Sequence, residues 1–148
     1  KAQAEAAEEA ARARLDRLVA GDAHFDVRRH ADGGLEGKRR GSPDRTVRML
    51  AAGELTPEAR LDLHGRERRE VAREVSQFVR TGHRAGRRTL ALIHGKGNHS
   101  EGGRGVLEDA VIKALTDGGA APLVEAFATA PRRHGGTGVM LVRLRHRL

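Results

Sequence analysis

Two apolar runs in the second half of this chain end in the same dipeptide. One is Leu61-Asp62-Leu63-His64-Gly65, the other Leu90-Ala91-Leu92-Ile93-His94-Gly95. Short Leu- and Ile-rich runs closed by glycine read as strands. Between them Val71, Val75, Phe78 and Val79 recur on one helical face, predicting a helix over 66–82 after a strand over 59–63. The second strand, over 88–93, leads into a glycine-rich loop at 94–104. A second helix is expected over 105–117, with Val106, Leu107, Ala110, Val111, Ala114 and Leu115 on one face and Gly118-Gly119 at its end. Strands over 122–129 and 139–145 complete a β-α-β-α-β-β order. Helices between strands argue for parallel pairing with right-handed crossovers. The expected fold class is α/β.

The first part of the chain reads differently. Residues 2–20 form a helix by composition, Ala, Glu and Arg dominating before Gly21. Residues 24–40 suggest a hairpin turning at Ala31-Asp32-Gly33-Gly34, and Ser42-Pro43 opens a short helix over 44–52. The expected division is an N-terminal extension over 1–53 and a domain over 54–148. With few large apolar residues, the extension is expected to be a partner-docking or regulatory arm; packing against the domain is the plainer alternative.

Composition narrows the chemistry. The 148 residues contain no Cys, which excludes disulfides, thiol nucleophiles and Cys-ligated zinc or iron–sulfur centres. No apolar run reaches the roughly 18 residues of a membrane span, and the first residues lack a signal-peptide core. A cytoplasmic, monomeric protein is expected. Net charge is +8, of which residues 54–148 carry 17 basic against 11 acidic groups, or +6. That excess suits an anionic partner such as nucleic acid, although an arginine-rich composition alone gives the same sign. Only Phe25, Phe78 and Phe127 are aromatic, so base-stacking platforms are nearly absent and any nucleic acid must be held by charge and backbone amides.

If the two His-Gly strands are parallel neighbours, both turns stand at the carboxyl end of the sheet, where open α/β sheets bind ligands. Strand alternation puts Asp62 and His64 on one face and Leu61 and Leu63 on the other. A carboxylate two residues from an imidazole can fix its tautomer, or either side chain can cap the following helix. The loop 94–100, His-Gly-Lys-Gly-Asn-His-Ser, brings a lysine and flexible backbone amides toward an anion, without the spacing of a Walker loop; a plain connector has the same glycines. Gly135-Gly136-Thr137-Gly138 is a similar but plainer turn. Asp62, His64, His94 and His99 could also ligate a divalent ion, though no helical metal motif accompanies them.

These segments resemble the Smr (small MutS-related) domain. The resemblance lies in LDLHG at 61–65, LALIHGKGNHS at 90–100, GGRGVLEDAV at 102–111 and VEAFATAPRRHGGTGVMLVRL at 124–144. It covers residues 59–148, and a weaker likeness around TVRMLAAGEL at 46–55 is to stand-alone, SmrB-like bacterial members. The tryptophan many members carry near the end of the second helix is missing. The resemblance implies a two-layer α/β sandwich, a mixed four-stranded sheet with helices on one face, similar to the C-terminal domain of translation initiation factor three, and it implies nucleic-acid binding and endonuclease activity. It implies a cleavage role for Asp62 and His64, and binding or catalysis for His94, Gly95, Lys96 and Gly97.

The expected catalytic set is therefore Asp62, His64 and His94. Gly95, Lys96, Gly97, His99, Arg104 and Gly136 are the expected substrate contacts. One histidine would act as general base on a 2′-OH and another would protonate the leaving 5′-oxygen, with no metal required. The expected function is cleavage of single-stranded RNA, such as mRNA on stalled ribosomes reached through residues 1–53. A DNA-nicking enzyme using a divalent ion and a non-catalytic RNA- or ribosome-binding module are the alternatives.

Overall fold

The computed structural model describes residues 24–96 and 106–146. The helix expected over 2–20 lies outside them. The described chain runs β1 (Phe25–Arg29), β2 (Leu35–Arg39), α1 (Asp44–Ala52), β3 (Ala59–Asp62), α2 (Arg68–Arg84), β4 (Thr89–Ile93), α3 (Val106–Asp117), β5 (Val124–Thr129) and β6 (Val139–Leu144). These strands form one mixed sheet of order β1-β2-β5-β6-β4-β3. Pairing of β3 with β4 is parallel, and every other pairing is antiparallel.

The α/β class holds, but the sheet has six strands where four were expected. The hairpin over 24–40 supplies the other two, through β2 on β5. A single residue explains much of this fit. A methyl group on Gly37 would lie 2.2 Å from the Phe127 ring, so only glycine lets β2 close over that buried aromatic. Phe25 and Leu35 complete the same core, and the Phe25 ring lies 6.2 Å from that of Phe127. The sheet is thus continuous across the division expected at 53/54.

Helices also cover both faces, not one. Val71, Val75 and Val79 of α2 and Val111, Ala114 and Leu115 of α3 pack on Leu90, Leu92, Met140, Val142 and Leu144. On the opposite face Val47 and Leu50 of α1 meet Ala91, Ala126, Ala128 and Leu141. The α1 stripe needs an apolar partner, and the small alanines let the helix approach closely. A register shift between Val124 and Ala126 in β5 sends these two residues to opposite cores, which strict alternation would forbid.

Candidate active site

Strand directions decide where the motifs meet. β1, β3, β4 and β5 run the same way, so the two His-Gly turns and the tip of the β1–β2 hairpin stand at one end of the sheet. In the parallel register Asp62 faces Ile93, and the Leu63 N–H donates to the Ile93 carbonyl at 2.7 Å. The turns start level, and Gly65 and Gly95 both take φ near +80° (81° and 83°), a conformation that favours glycine.

The first turn holds a carboxylate–imidazole pair. Leu63 is fully buried and Leu61 packs on the same core, so Asp62 and His64 face away from it. One oxygen, Asp62 Oδ1, accepts from the His64 backbone N–H at 3.0 Å and lies 2.7 Å from His64 Nδ1. These bonds, the ring's first, hold the Asp62 carboxyl below its ordinary pKa. An ionised carboxylate only accepts, so Nδ1 carries the proton and Nε2 presents its lone pair. The His64 side chain is 75% exposed, so that nitrogen can reach a ligand. Neither residue caps α2. Glu67 does, with its backbone N–H bonded by Glu70 Oε1 at 2.9 Å, which removes the capping explanation for Asp62 and His64.

The second turn differs despite the same dipeptide. His94 follows Leu90 and Leu92 on the α2/α3 side of the sheet and is only 4% exposed. Its Nδ1 lies 2.8 Å from the Gly95 carbonyl and so carries the proton; Nε2 is buried with no hydrogen-bond partner among the described residues. Burial lowers the His94 pKa from 6.5, against smaller opposing effects of the Gly95 carbonyl and Glu108, so the ring is neutral at pH 7. The backbone N–H groups of His94 and Gly95 both donate to the Gly138 carbonyl, at 3.0 and 3.1 Å. Gly138 allows the approach: a methyl there would meet Gly95 carbon and Lys96 Cγ at 3.2 Å.

Two expected anion donors are therefore already used. The Gly95 amide serves Gly138, and the Gly136 amide donates to the Pro131 carbonyl at 3.0 Å. Lys96 remains uncommitted among the described residues. Gly97, His99 and Arg104 lie outside the described residues. Among those described, no three His, Asp or Glu side chains gather as a metal-binding group.

His94 and Lys96 line one wall of a cleft of about 380 Å³; Arg29 and Ala31 of the hairpin tip, with Glu108 of α3, line the other. Asp62 and His64 are not part of its walls. Arg29 Nη2 donates to Glu108 Oε1 at 2.8 Å, tying hairpin to helix. Sequence reasoning missed both residues. The pair spans 79 positions, and the available signal was an acidic residue on the apolar-facing first turn of α3.

Comparison with known proteins agrees with this architecture. The sequence profile of the Smr domain matches residues 61–145. The chain is 30% identical over 111 residues to the probable DNA endonuclease SmrA of Escherichia coli K12; the match covers 75% of this chain and 58% of that protein. The expectation pointed to the SmrB-like branch; this relative is an SmrA protein. Among solved structures, YdaL, a stand-alone small MutS-related protein from Escherichia coli, superposes with a TM-score of 0.63 at 29% identity, covering 76% of this chain and 83% of that one. The Smr domain of Thermus thermophilus MutS2 gives 0.50 at 38% identity, over 59% of this chain and 98% of that one. A profile match over more than half the chain, reinforced by a shared fold, leads to one assignment: the chain belongs to the Smr domain family.

Proposed function

We propose that the chain is an endonuclease that cleaves single-stranded RNA by proton transfer through His64. The observation that carries this is the 2.7 Å Asp62–His64 bond beside an exposed Nε2 at the carboxyl end of the sheet. Asp62 holds the ring in one tautomer and opposes the charge it gains on taking a proton. His64 accepts the proton of the attacking 2′-OH and returns it to the leaving 5′-oxygen, while Lys96 lies against the phosphate charge. His94 fits poorly as the acid of an acid–base pair, because it is neutral at pH 7 and offers only a lone pair. Its place in this reading is substrate holding. Ribosome-bound mRNA is the target in the narrower form of this reading, with residues 1–53 as the docking arm; within them β2 is enclosed by β1 and β5, and β1 is an edge strand.

A second reading, DNA nicking, is favoured by one observation: the relative SmrA is a probable DNA endonuclease. The two separate cleanly. Matched RNA and all-DNA single strands are incubated with the full chain, in EDTA and in magnesium, and product ends are identified. The RNA reading expects 2′,3′-cyclic phosphate and 5′-OH ends in EDTA, with DNA intact. Comparable cleavage of DNA overturns it in favour of nicking, and failure to cut either strand leaves a binding module.

A further inference from the structure

We propose that the tip of the β1–β2 hairpin is the second wall of a subsite that seats one nucleotide of the bound strand. The ligand class rests on the nuclease reading above; the cleft itself does not. Its volume of about 380 Å³ falls within the size range of small-ligand sites. Lys96 stands on one wall with no described partner. Behind it His94, 96% buried, keeps an Nε2 that no described group satisfies. Unpaired buried acceptors are rare in native proteins and are completed by a water, an ion or a ligand donor, and His94 lines the cleft where such a donor would stand. Ribose hydroxyls and base amino groups are such donors.

The facing wall is built to hold still. Arg29 is fixed by Glu108 at 2.8 Å and by the Gly33 carbonyl at 3.3 Å. The turn itself is locked by Asp32 Oδ1 on the Gly34 N–H at 2.8 Å and by His30 N–H on the Gly34 carbonyl at 2.7 Å. Formal charges of the described residues lining the cleft are balanced, Arg29 and Lys96 against Asp32 and Glu108. A polar, neutral cavity suits the sugar and base of a nucleotide, with its phosphate on Lys96 at the mouth.

The test changes charge at the wall without deleting any contact. Ala31 is exposed at the tip and lines the cleft. Ala31→Glu and Ala31→Lys are made in the full chain carrying His64→Ala, so that a fluorescent single-stranded RNA stays intact while its Kd is read. Val27→Glu and Val27→Lys are the controls: Val27 is 42% exposed on the same hairpin. Val27 is not among the residues that line the cleft, so a charge there acts on the bound strand from further off than one at Ala31. A charge about 8 Å from a phosphate, across a cleft wide enough for a nucleotide, changes Kd by about twofold, weakening for Glu and tightening for Lys. The proposal expects those opposite shifts at Ala31 and little change at Val27, with melting temperatures unaltered. Equal shifts at both positions, or none at Ala31, overturn it. Unmutated chain that cuts no strand while the Ala31 shifts persist would instead defeat the nuclease reading and leave the subsite standing.

Discussion

Replacing Arg29 with alanine probes the bond that joins the hairpin to α3. Glu108 is 8% exposed, and its carboxylate is left nearly buried and unpaired when Arg29 is cut back. Breaking a fully buried pair from one side costs about 3–5 kcal/mol. Here the Arg29 side chain is 30% exposed, so water enters the vacated space and the loss falls to about 2 kcal/mol. For a chain of this size that is a fall of about 4–8 °C in Tm. Glu108→Gln removes the orphaned charge, so the double variant Arg29→Ala/Glu108→Gln recovers most of the loss. Thermal and urea unfolding of the three variants and the parent at pH 7 close a double-mutant cycle. Additive losses, or an Arg29→Ala variant within 1 °C (about a quarter to half of a kcal/mol), refute the claim that the pair couples hairpin to helix. The same variant frees the Glu108 charge toward His94, so the His94 imidazole resonances titrate at higher pH than in the parent.

Asp62→Asn and His64→Ala each lower single-turnover cleavage by roughly 10²-fold or more with RNA affinity nearly unchanged; full activity in purified His64→Ala removes the catalytic assignment. Lys96→Ala acts the other way, weakening binding and lowering the salt slope by roughly 0.7 with chemistry retained, as read from Kd against salt. Because the His94 pKa is lowered by folding, the unfolded chain takes up the proton first, and stability falls as pH drops below about 6.5. In His94→Gln that part of the pH dependence disappears from urea midpoints; an unchanged profile contradicts the burial argument. Gly37→Ala drives a methyl into the Phe127 ring and costs about 1–3 kcal/mol, measurable as a lower Tm.

The β/α alternation and the Asp62–His64 pair were legible because both are local: period-two and helical spacings are written within a few residues. The observed strand at 59–62 and helix at 68–84 sit within two residues of the expected 59–63 and 66–82. What the sequence hid was long-range. The place of β2 beside β5 depends on a missing side chain at Gly37 and a ring at Phe127, ninety positions away. The α1 stripe announced an amphipathic helix without saying which sheet face would receive it. The two His-Gly turns read alike, yet one histidine is open and the other buried. The difference comes from the face each takes: His64 points away from the core that holds Leu61 and Leu63, His94 falls on the side of Leu90 and Leu92, and β4, buried on both faces, shows no alternation that would reveal it.

The pairing of β2 with β5 also bears on how this protein avoids sticking to itself. β5 contributes Ala126, Phe127 and Ala128, all at most 1% exposed, and β6 occupies only one side of it. A chain begun at Glu54 would keep the whole family match at 61–145 and yet uncover the other side of β5. That side is a row of unpaired N–H and C=O groups on an apolar strand with no charge from Ala126 to Thr129, an open template for a second molecule. Such a chain is expected to scatter light and elute as dimers or larger species at concentrations where the full chain stays monodisperse. In the full chain β1 is the edge in place of β5, and it presents the exposed charges Asp26, Arg28 and Arg29. The hairpin thus exchanges an apolar margin for a charged one.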